Sequence, residues 1–352
     1  MKIETVLMRV DGSLELGMGH IMRCIALAQE FQLRGKEVVF ILKNLLGKAR
    51  SIVHGYGFRV VLLKPDLDFN QDSIATIGFA NFFQAKHIIV DLNNVDTLPQ
   101  KNLFINFLRN LKNADLIVIV IEGMDDECIS MRKPIPASAV VIPYLGAQNL
   151  KYKALSGTKI LAGEKYFPFR LEFKQSIKQK KKINKEVKHI LITIGGGNVS
   201  NYNKKICLAL QELDNKNLLI RITGELNLHS KCPSNVKVLG NVSNINELVC
   251  WADLAIIGSG LTRYETALMA TPTIVFSLNQ AHMQMVEKFV KKKTACHGGL
   301  LDDLSVEQVK DILRKLINDV PLRRSMSKEG ALLIDGKGSA RLVNEIFSLK
   351  IR

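Results

Sequence analysis

Paired cysteines are missing from this chain of 352 residues. Its six cysteines (Cys24, Cys128, Cys207, Cys232, Cys250 and Cys296) form no CxxC pair. That argues against a zinc finger or a dithiol redox centre, and scattered single cysteines suit a reducing compartment. Aromatic residues are scarce at 6%, and no basic stripe is interleaved with them, so no nucleic-acid partner is expected. No apolar run reaches the length of a membrane span. The first residues run straight into a strand pattern, without a charged and then apolar leader, so a cytoplasmic location is expected. There is no glycine-rich loop ending in Gly-Lys-Ser/Thr, no HExxH and no Cys/His ligand cluster. Neither P-loop chemistry nor a metal is signalled, and no cofactor is expected.

What the chain does have is core-forming material and positive charge. Apolar residues make up 47%, and the length implies two domains or one large one. The formal charge of +16 suits a small phosphate-bearing substrate, and it equally suits peripheral contact with an anionic membrane surface.

The stretch Gly17-Met18-Gly19-His20-Ile21-Met22-Arg23 stands between an apolar run ending near Arg9 and a helical pattern. Read as strand, turn and helix, it puts two glycines at the turn and His20 at the helix start. His20 and Arg23 lie three apart and share a helical face. Glycines let a backbone approach a ligand closely, and free amides in a first helical turn suit a phosphate. A histidine there can act as an acid or a base. The same residues also make a tight turn, a cap and a surface histidine.

From there the chain alternates. Strands are expected at 3–9, 38–42, 58–63, 88–91 and 116–120, with helices at 20–34, 46–54, 73–85 and 101–112 between them. Such alternation means a mostly parallel sheet covered on both faces. Asp91 ends its strand, where open α/β sheets bind ligands, but an aspartate there also caps turns. Short edge strands are expected at 140–142 and 159–161. The basic stretch that follows reads as a solvated linker or helix face, or as a patch for anionic lipid.

The second half restarts the pattern. His189 to Ile194 is a strand followed by Gly195-Gly196-Gly197, and Ala252 to Ile257 is a strand followed by Gly258-Ser259-Gly260-Leu261-Thr262. A helix through Glu265 comes next. Its carboxylate can take two ribose hydroxyls or compensate the helix dipole. Helices at 304–317 and 332–348 finish the chain. The expected fold is α/β, with two Rossmann-like domains facing a cleft. Residues 1–170 form the first domain and 171–186 a basic linker. Residues 187–330 form a nucleotide-binding domain, and 331–352 a C-terminal helix long enough to pack back on the first domain.

A dehydrogenase fits less well, because the last glycine of GxGxxG is missing and Arg23 falls near its place. Glycine turns in both halves suggest a nucleotide diphosphate. The motifs that gather around them are Arg9-Val10-Asp11-Gly12-Ser13 with Gly17 to Cys24, then Gly163, Tyr166 and Arg170 with Glu172-Phe173. Gly195-Gly196, the segment Ala252-Asp253 through Thr262, Tyr264 and Glu265, and Asn279-Gln280 complete the set. On these residues the chain resembles the UDP-sugar hydrolases of pseudaminic acid biosynthesis and the related spore-coat polysaccharide proteins. That group is similar in turn to MurG-type glycosyltransferases with the GT-B fold.

The resemblance implies water-driven release of UDP from a UDP-linked diacetamido-trideoxy sugar, without a metal. His20 matches the catalytic histidine, and Asn279 matches an asparagine that holds the reacting water. Asp11 is a weaker candidate for orienting the histidine ring. Gly17, Gly19, Arg23, Tyr166, Arg170, Gly196, Gly260, Leu261, Thr262, Glu265 and Gln280 are implied in substrate binding. The chain departs from the pattern where Leu92-Asn93 replaces a His-Tyr pair and Asn198-Val199 replaces Asp-Pro. Glycosyl transfer to an acceptor, or nucleotide-sugar binding without turnover, stays open beside hydrolysis.

Overall fold

The structure is a computed structural model. It describes residues 4–12, 18–43, 48–92, 98–123, 128–177, 181–195, 199–213, 217–226, 233–240, 242 and 244–350. Gly17, Asn93, Gly196, Gly197 and Asn198 therefore lie outside the described residues. The chain divides into two compact units. The first holds Met1–Leu171 with Lys337–Arg352, and the second holds Glu172–Gly336.

The first unit is built on seven parallel strands: β1 (Thr5–Val10), β2 (Glu37–Lys43), β3 (Arg59–Leu63), β4 (His87–Asp91), β5 (Ile117–Ile121), β6 (Ala139–Ile142) and β7 (Lys159–Ala162). Their order across the sheet is β3-β2-β1-β4-β5-β6-β7. Runs such as Val38-Val39-Phe40-Ile41-Leu42 and Ile117-Val118-Ile119-Val120-Ile121 are apolar on both faces, as a covered parallel sheet requires. β6 lies inside the sheet, between β5 and β7, and all four of its residues are buried. The expectation of an edge strand there is corrected; β7 is the edge.

Helices α1 (Gly19–Leu33), α2 (Lys48–Gly55), α3 (Phe69–Phe83), α4 (Leu98–Asn113) and the short α5 (Ile129–Arg132) connect these strands. α3 begins with a capping box, in which Asp68 accepts from the Gln71 N–H and Gln71 reaches back to the Asp68 N–H. α1 ends at Leu33, and two residues on the chain turns at Gly35, whose φ of +72° only glycine adopts freely.

The second unit has a six-stranded parallel sheet: β8 (His189–Thr193), β9 (Leu219–Ile222), β10 (Val236–Val238), β11 (Leu254–Gly258), β12 (Thr273–Ser277) and β13 (Cys296–Leu300). The order is β10-β9-β8-β11-β12-β13, the same switch in direction about the first strand that the first unit shows. A six-residue helix, α6 (Leu171–Ser176), leads into this unit. Its other helices are α7 (Ser200–Gln211), α8 (Ile245–Trp251), α9 (Thr262–Leu268), α10 (Gln280–Lys291), α11 (Val306–Asn318) and α12 (Val320–Leu333).

Two elements of this unit differ from expectation. β13 was not expected, because Cys-His-Gly-Gly-Leu offers no apolar run. Its Gly298 sits where an added Cβ would meet the Phe276 ring at 2.4 Å, so the glycine is what lets β13 lie beside β12. α12 was not expected over 320–331, and the helix expected at 332–348 is shorter: α12 ends at Leu333, Ile334 is extended, Gly336 takes φ +71°, and α13 (Gly338–Phe347) starts anew.

α13 belongs to the first unit. Leu342, Val343 and Ile346 enter the same core as Ile21, Ile25 and Phe31 of α1, and the rings of Phe31 and Phe347 meet edge to face at 5.5 Å. Gly338 allows this fit, since a Cβ there would lie 1.9 Å from the Phe167 carbonyl oxygen.

The basic stretch expected as a linker is held against the second unit. Lys181 Nζ donates to the carbonyls of Val249, Cys250 (2.6 Å) and Ala252 at the end of α8, and burial lowers its pKa to about 8. Asp253 accepts from Asn184 Nδ2 (2.8 Å) and from the N–H groups of Lys188 and His189 (both 3.0 Å).

Candidate functional site

In the first unit, β1 has β2 on one side and β4 on the other. The connections leaving β1 and β4 diverge, and that opens a crevice at the carboxyl ends of the strands. α1 starts there after β1, and Val10 pairs in register with Asp91 of β4. The crevice therefore receives His20 and Arg23 from the first turns of α1 and Asp91 from the end of β4.

The three side chains meet. His20 Nδ1 lies 2.6 Å from Asp91 Oδ1. Arg23 grips the same carboxylate with two nitrogens: Nε donates to Oδ2, and Nη2 donates to Oδ1 at 2.5 Å. Arg23 Nη1 donates to the hydroxyl of Tyr144, which follows β6. The Asp91 and Arg23 side chains are 1% and 4% exposed, while His20 keeps 12%, so the imidazole is the member of the group that reaches solvent.

Burial alone would raise the pKa of Asp91. The Arg23 guanidinium and then His20 outweigh it and hold the carboxyl well below the usual carboxylate range. Arg23 is pushed above its ordinary value: burial opposes its charge, and Asp91 more than compensates. Burial pushes the Cys24 thiol well up, and the Asp91 charge adds to this, so Cys24 stays protonated and is no nucleophile. An ionised carboxylate only accepts hydrogen bonds. A proton on His20 Nδ1 suits that carboxylate and would leave Nε2 as the basic nitrogen, while Arg23 Nη2, 2.7 Å from the same Nδ1, is a second donor beside it.

Asp91, rather than Asp11, is thus the carboxylate on the ring. Asp11 is taken by Arg9, whose Nη1 and Nη2 donate to it at 2.8 Å each, and by the Lys43 N–H at 2.8 Å. Arg9 is fully buried and holds a second carboxylate, Asp72, at 2.6 Å. The cluster fixes the chain as it leaves β1, so Asp11 acts on the backbone before the glycine turn and not on the imidazole.

Tyr166 and Arg170, expected near substrate, are placed among structural partners. Tyr166 lies in the core with α1 and α13, and its hydroxyl stands 3.5 Å from Glu345. Arg170 is buried and donates to the Tyr56 hydroxyl at 2.8 Å. Two strand-end residues escaped the sequence reading. One is Tyr144. The other is Glu122 after β5, whose buried carboxylate accepts from the Ser130 N–H (3.1 Å) and hydroxyl; burial raises its pKa. The signal that could have found both is position, since each lies within two residues of the end of an apolar strand of a parallel sheet.

In the second unit the matching crevice lies between β8 and β11. Gly258 closes β11 against the end of β8 so tightly that a Cβ would stand 2.0 Å from the Ile194 carbonyl oxygen. Gly260 is exposed, and a Cβ there would meet nothing within 4 Å, so packing does not demand this glycine. Leu261 and Thr262 begin α9 half-buried, and Glu265 is half-buried in its first turn. Ser259 Oγ lies 2.7 Å from His282 Nδ1. Asn279 caps α10, its Oδ1 accepting the His282 N–H at 2.9 Å; the cap uses the carbonyl oxygen and not the amide NH2. Gln280, exposed, opens that helix. Among the described residues, no three His, Cys, Asp or Glu side chains gather into a metal-binding group. Among those residues, no helix is long and apolar enough to cross a membrane.

Comparison with known proteins follows the same lines. No protein-family model matches the chain. It is 27% identical over 306 residues to the uncharacterized protein MJ1062 of Methanocaldococcus jannaschii, covering 82% of this chain and 58% of that one. The chain thus spans a little more than half of that relative's length. It is 22% identical over 343 residues to the spore coat polysaccharide biosynthesis protein SpsG of Bacillus subtilis, covering 94% of each. Among solved structures, MurG of Acinetobacter baumannii aligns with a TM-score of 0.67 at 14% identity, over 98% of this chain and all of that one. The fold is two parallel-sheet, Rossmann-like α/β units, as in GT-B glycosyltransferases such as MurG.

Proposed function

We propose that this chain releases UDP from a UDP-linked diacetamido-trideoxy sugar by attack of water at the anomeric carbon, in the biosynthesis of a pseudaminic-type acid or another surface polysaccharide. The observation that carries this reading is the contact between His20 and Asp91 at the switch point of the first sheet. A base held by a carboxylate is what hydrolysis at an anomeric carbon needs most. The departing diphosphate is a good leaving group, so help from an acid matters less. Water's oxygen bonds to the anomeric carbon while the bond from that carbon to the phosphate oxygen breaks. The bonding electrons leave with UDP, and water's proton passes to His20 Nε2. Asp91 stabilises the imidazolium that results.

The second unit takes the nucleotide in this reading. Its support is the crevice beside β11, the open backbone at Gly260 and the carboxylate of Glu265, which suits two ribose hydroxyls. Asn279 is the candidate to hold the reacting water, through its amide NH2. SpsG is named for polysaccharide biosynthesis, and the likeness to it spans nearly the whole of both chains.

Transfer to an acceptor is the second reading, favoured by the GT-B fold shared with MurG. The same base would then take a proton from an acceptor hydroxyl instead of water. A panel of UDP-diacetamido sugars, followed by NMR with and without candidate acceptors, separates the two. Free sugar and UDP in equal amounts without an acceptor support hydrolysis. UDP release only when an acceptor is present supports transfer. No turnover under either condition contradicts both.

A further inference from the structure

α3 is inverted relative to an ordinary surface helix, which hides an apolar stripe and shows its charges. The buried side chains of α3 are Asp72, Ser73, Thr76 and Ala80. Asp72 goes to Arg9 of β1 at 2.6 Å, and the Thr76 hydroxyl donates to Asp72 at 3.1 Å. Burying that polar row turns the large apolar side chains outward. Ile74 is 63% exposed and Phe82 74%, and Ile77, Phe79 and Phe83 are partly exposed. The exposed positions of the helix are Asn70, Gln71, Ile74, Gly78, Asn81 and Phe82, and none of them carries a charge. Aromatic rings gather at its end, where Phe82 and Phe83 meet edge to face at 4.9 Å and Phe79 stacks on Phe83 at 6.5 Å.

The charge around this face has one sign. α4 packs beside α3, with Asn110 Nδ2 donating to Ser73 Oγ at 2.9 Å, and it adds the exposed side chain of Leu103. Its charged residues are Lys101, Arg109 and Lys112. Lys86 is exposed just after α3, and the Arg59 guanidinium lies 5.0 Å from the centre of the Phe83 ring. Among the described residues from 69 to 113 the only acids are Asp72 and Asp91, both buried. A two-fold contact with a second copy would set these cations against one another. An anionic bilayer satisfies both features at once, because apolar side chains enter the acyl boundary while Lys and Arg stay with the headgroup phosphates. We propose that the α3–α4 face of the first unit docks on an anionic membrane surface, with Ile74 and Phe82 as the inserting side chains. The basic stretch before β8, the other candidate for lipid in the sequence, spends Lys181 on the carbonyls of α8.

The docking does not rest on the reaction at His20. The test spins full-length protein with vesicles of phosphatidylcholine alone and with vesicles that also contain phosphatidylglycerol. The protein should sediment with the second kind and stay behind with the first, and added salt should release it. Ile74→Ser together with Phe82→Ser should weaken the binding roughly tenfold. The melting temperature should not change, because both side chains are exposed. Lys101→Glu together with Arg109→Glu leaves the apolar side chains in place and should weaken the binding by roughly tenfold or more, so it tests the same surface if the first variant fails to fold. Unaltered protein that stays in solution with the phosphatidylglycerol vesicles overturns the proposal. Undiminished vesicle binding by either folded variant overturns it as well. A dimer in sedimentation velocity that the Ile74 and Phe82 changes dissolve, without vesicle binding, also overturns it and gives the face to a second copy.

Discussion

Asp91 Oδ1 stands 2.6 Å from His20 Nδ1, although 71 positions separate the two residues. The pairing is a product of strand order. β4 is inserted beside β1, and the helix that follows β1 drops its first turn onto the end of β4.

Replacing Asp91 with Asn should destabilise the protein in a way that depends on pH. The folded carboxyl titrates below its reference value of 3.8. A lowered folded pKa gives stability that is complete above the unfolded value and drains away as pH falls through the folded one. The native protein should therefore keep this contribution above about pH 4 and lose it progressively below. Asp91→Asn lacks it throughout and leaves buried Arg23 without its counterion, a loss of about 3–5 kcal/mol at neutral pH. Urea unfolding of both proteins at neutral and acidic pH checks this, and the gap between them should narrow on acidification. A gap that stays constant or widens contradicts it.

Gly258→Ala should lower stability by about 1–3 kcal/mol, because the new methyl meets backbone that cannot swing aside as a side chain would. The Ile194 carbonyl oxygen lies 2.0 Å from where that carbon must go. Thermal unfolding reads the effect, and an unchanged melting temperature would show that the end of β8 yields easily. Gly260→Ala, with open space around its Cβ position, should leave the melting temperature nearly unchanged and weaken UDP binding instead.

Much of this fold is legible in the sequence, because covered parallel strands announce themselves as short runs of Val, Ile and Leu. β13 is silent: two of its five residues are glycines, Gly298 fitted against the Phe276 ring and Gly299 taking φ +96°. α12 is hidden too, because Pro321 near its start reads as a break although a proline in the first turn is tolerated. Within the site, His20 and Arg23 are visible together because one helix carries them. Asp91 is visible only as a strand end, and Asp11, nearer in sequence, looks the better partner until Arg9 is seen to claim it. Tyr144 is marked only by its place just past an apolar strand. Its contact with Arg23 comes from the order of β4, β5 and β6, which no periodicity encodes.

Glu265→Ala should weaken UDP binding by about 1 kcal/mol or more, the worth of charge-assisted hydrogen bonds to the ribose hydroxyls. Isothermal titration with UDP measures it directly. Unchanged affinity would move the ribose away from the first turn of α9.

In the proposed reaction His20 is the base. That role is tested most directly by measuring kcat and UDP affinity of His20→Asn beside the unaltered protein. A general base is worth roughly 10²–10⁴-fold in rate, so kcat should fall by that factor while UDP binds nearly as before. If His20 only begins α1, kcat would stay within about threefold of the unaltered protein, and that result would remove His20 from the chemistry.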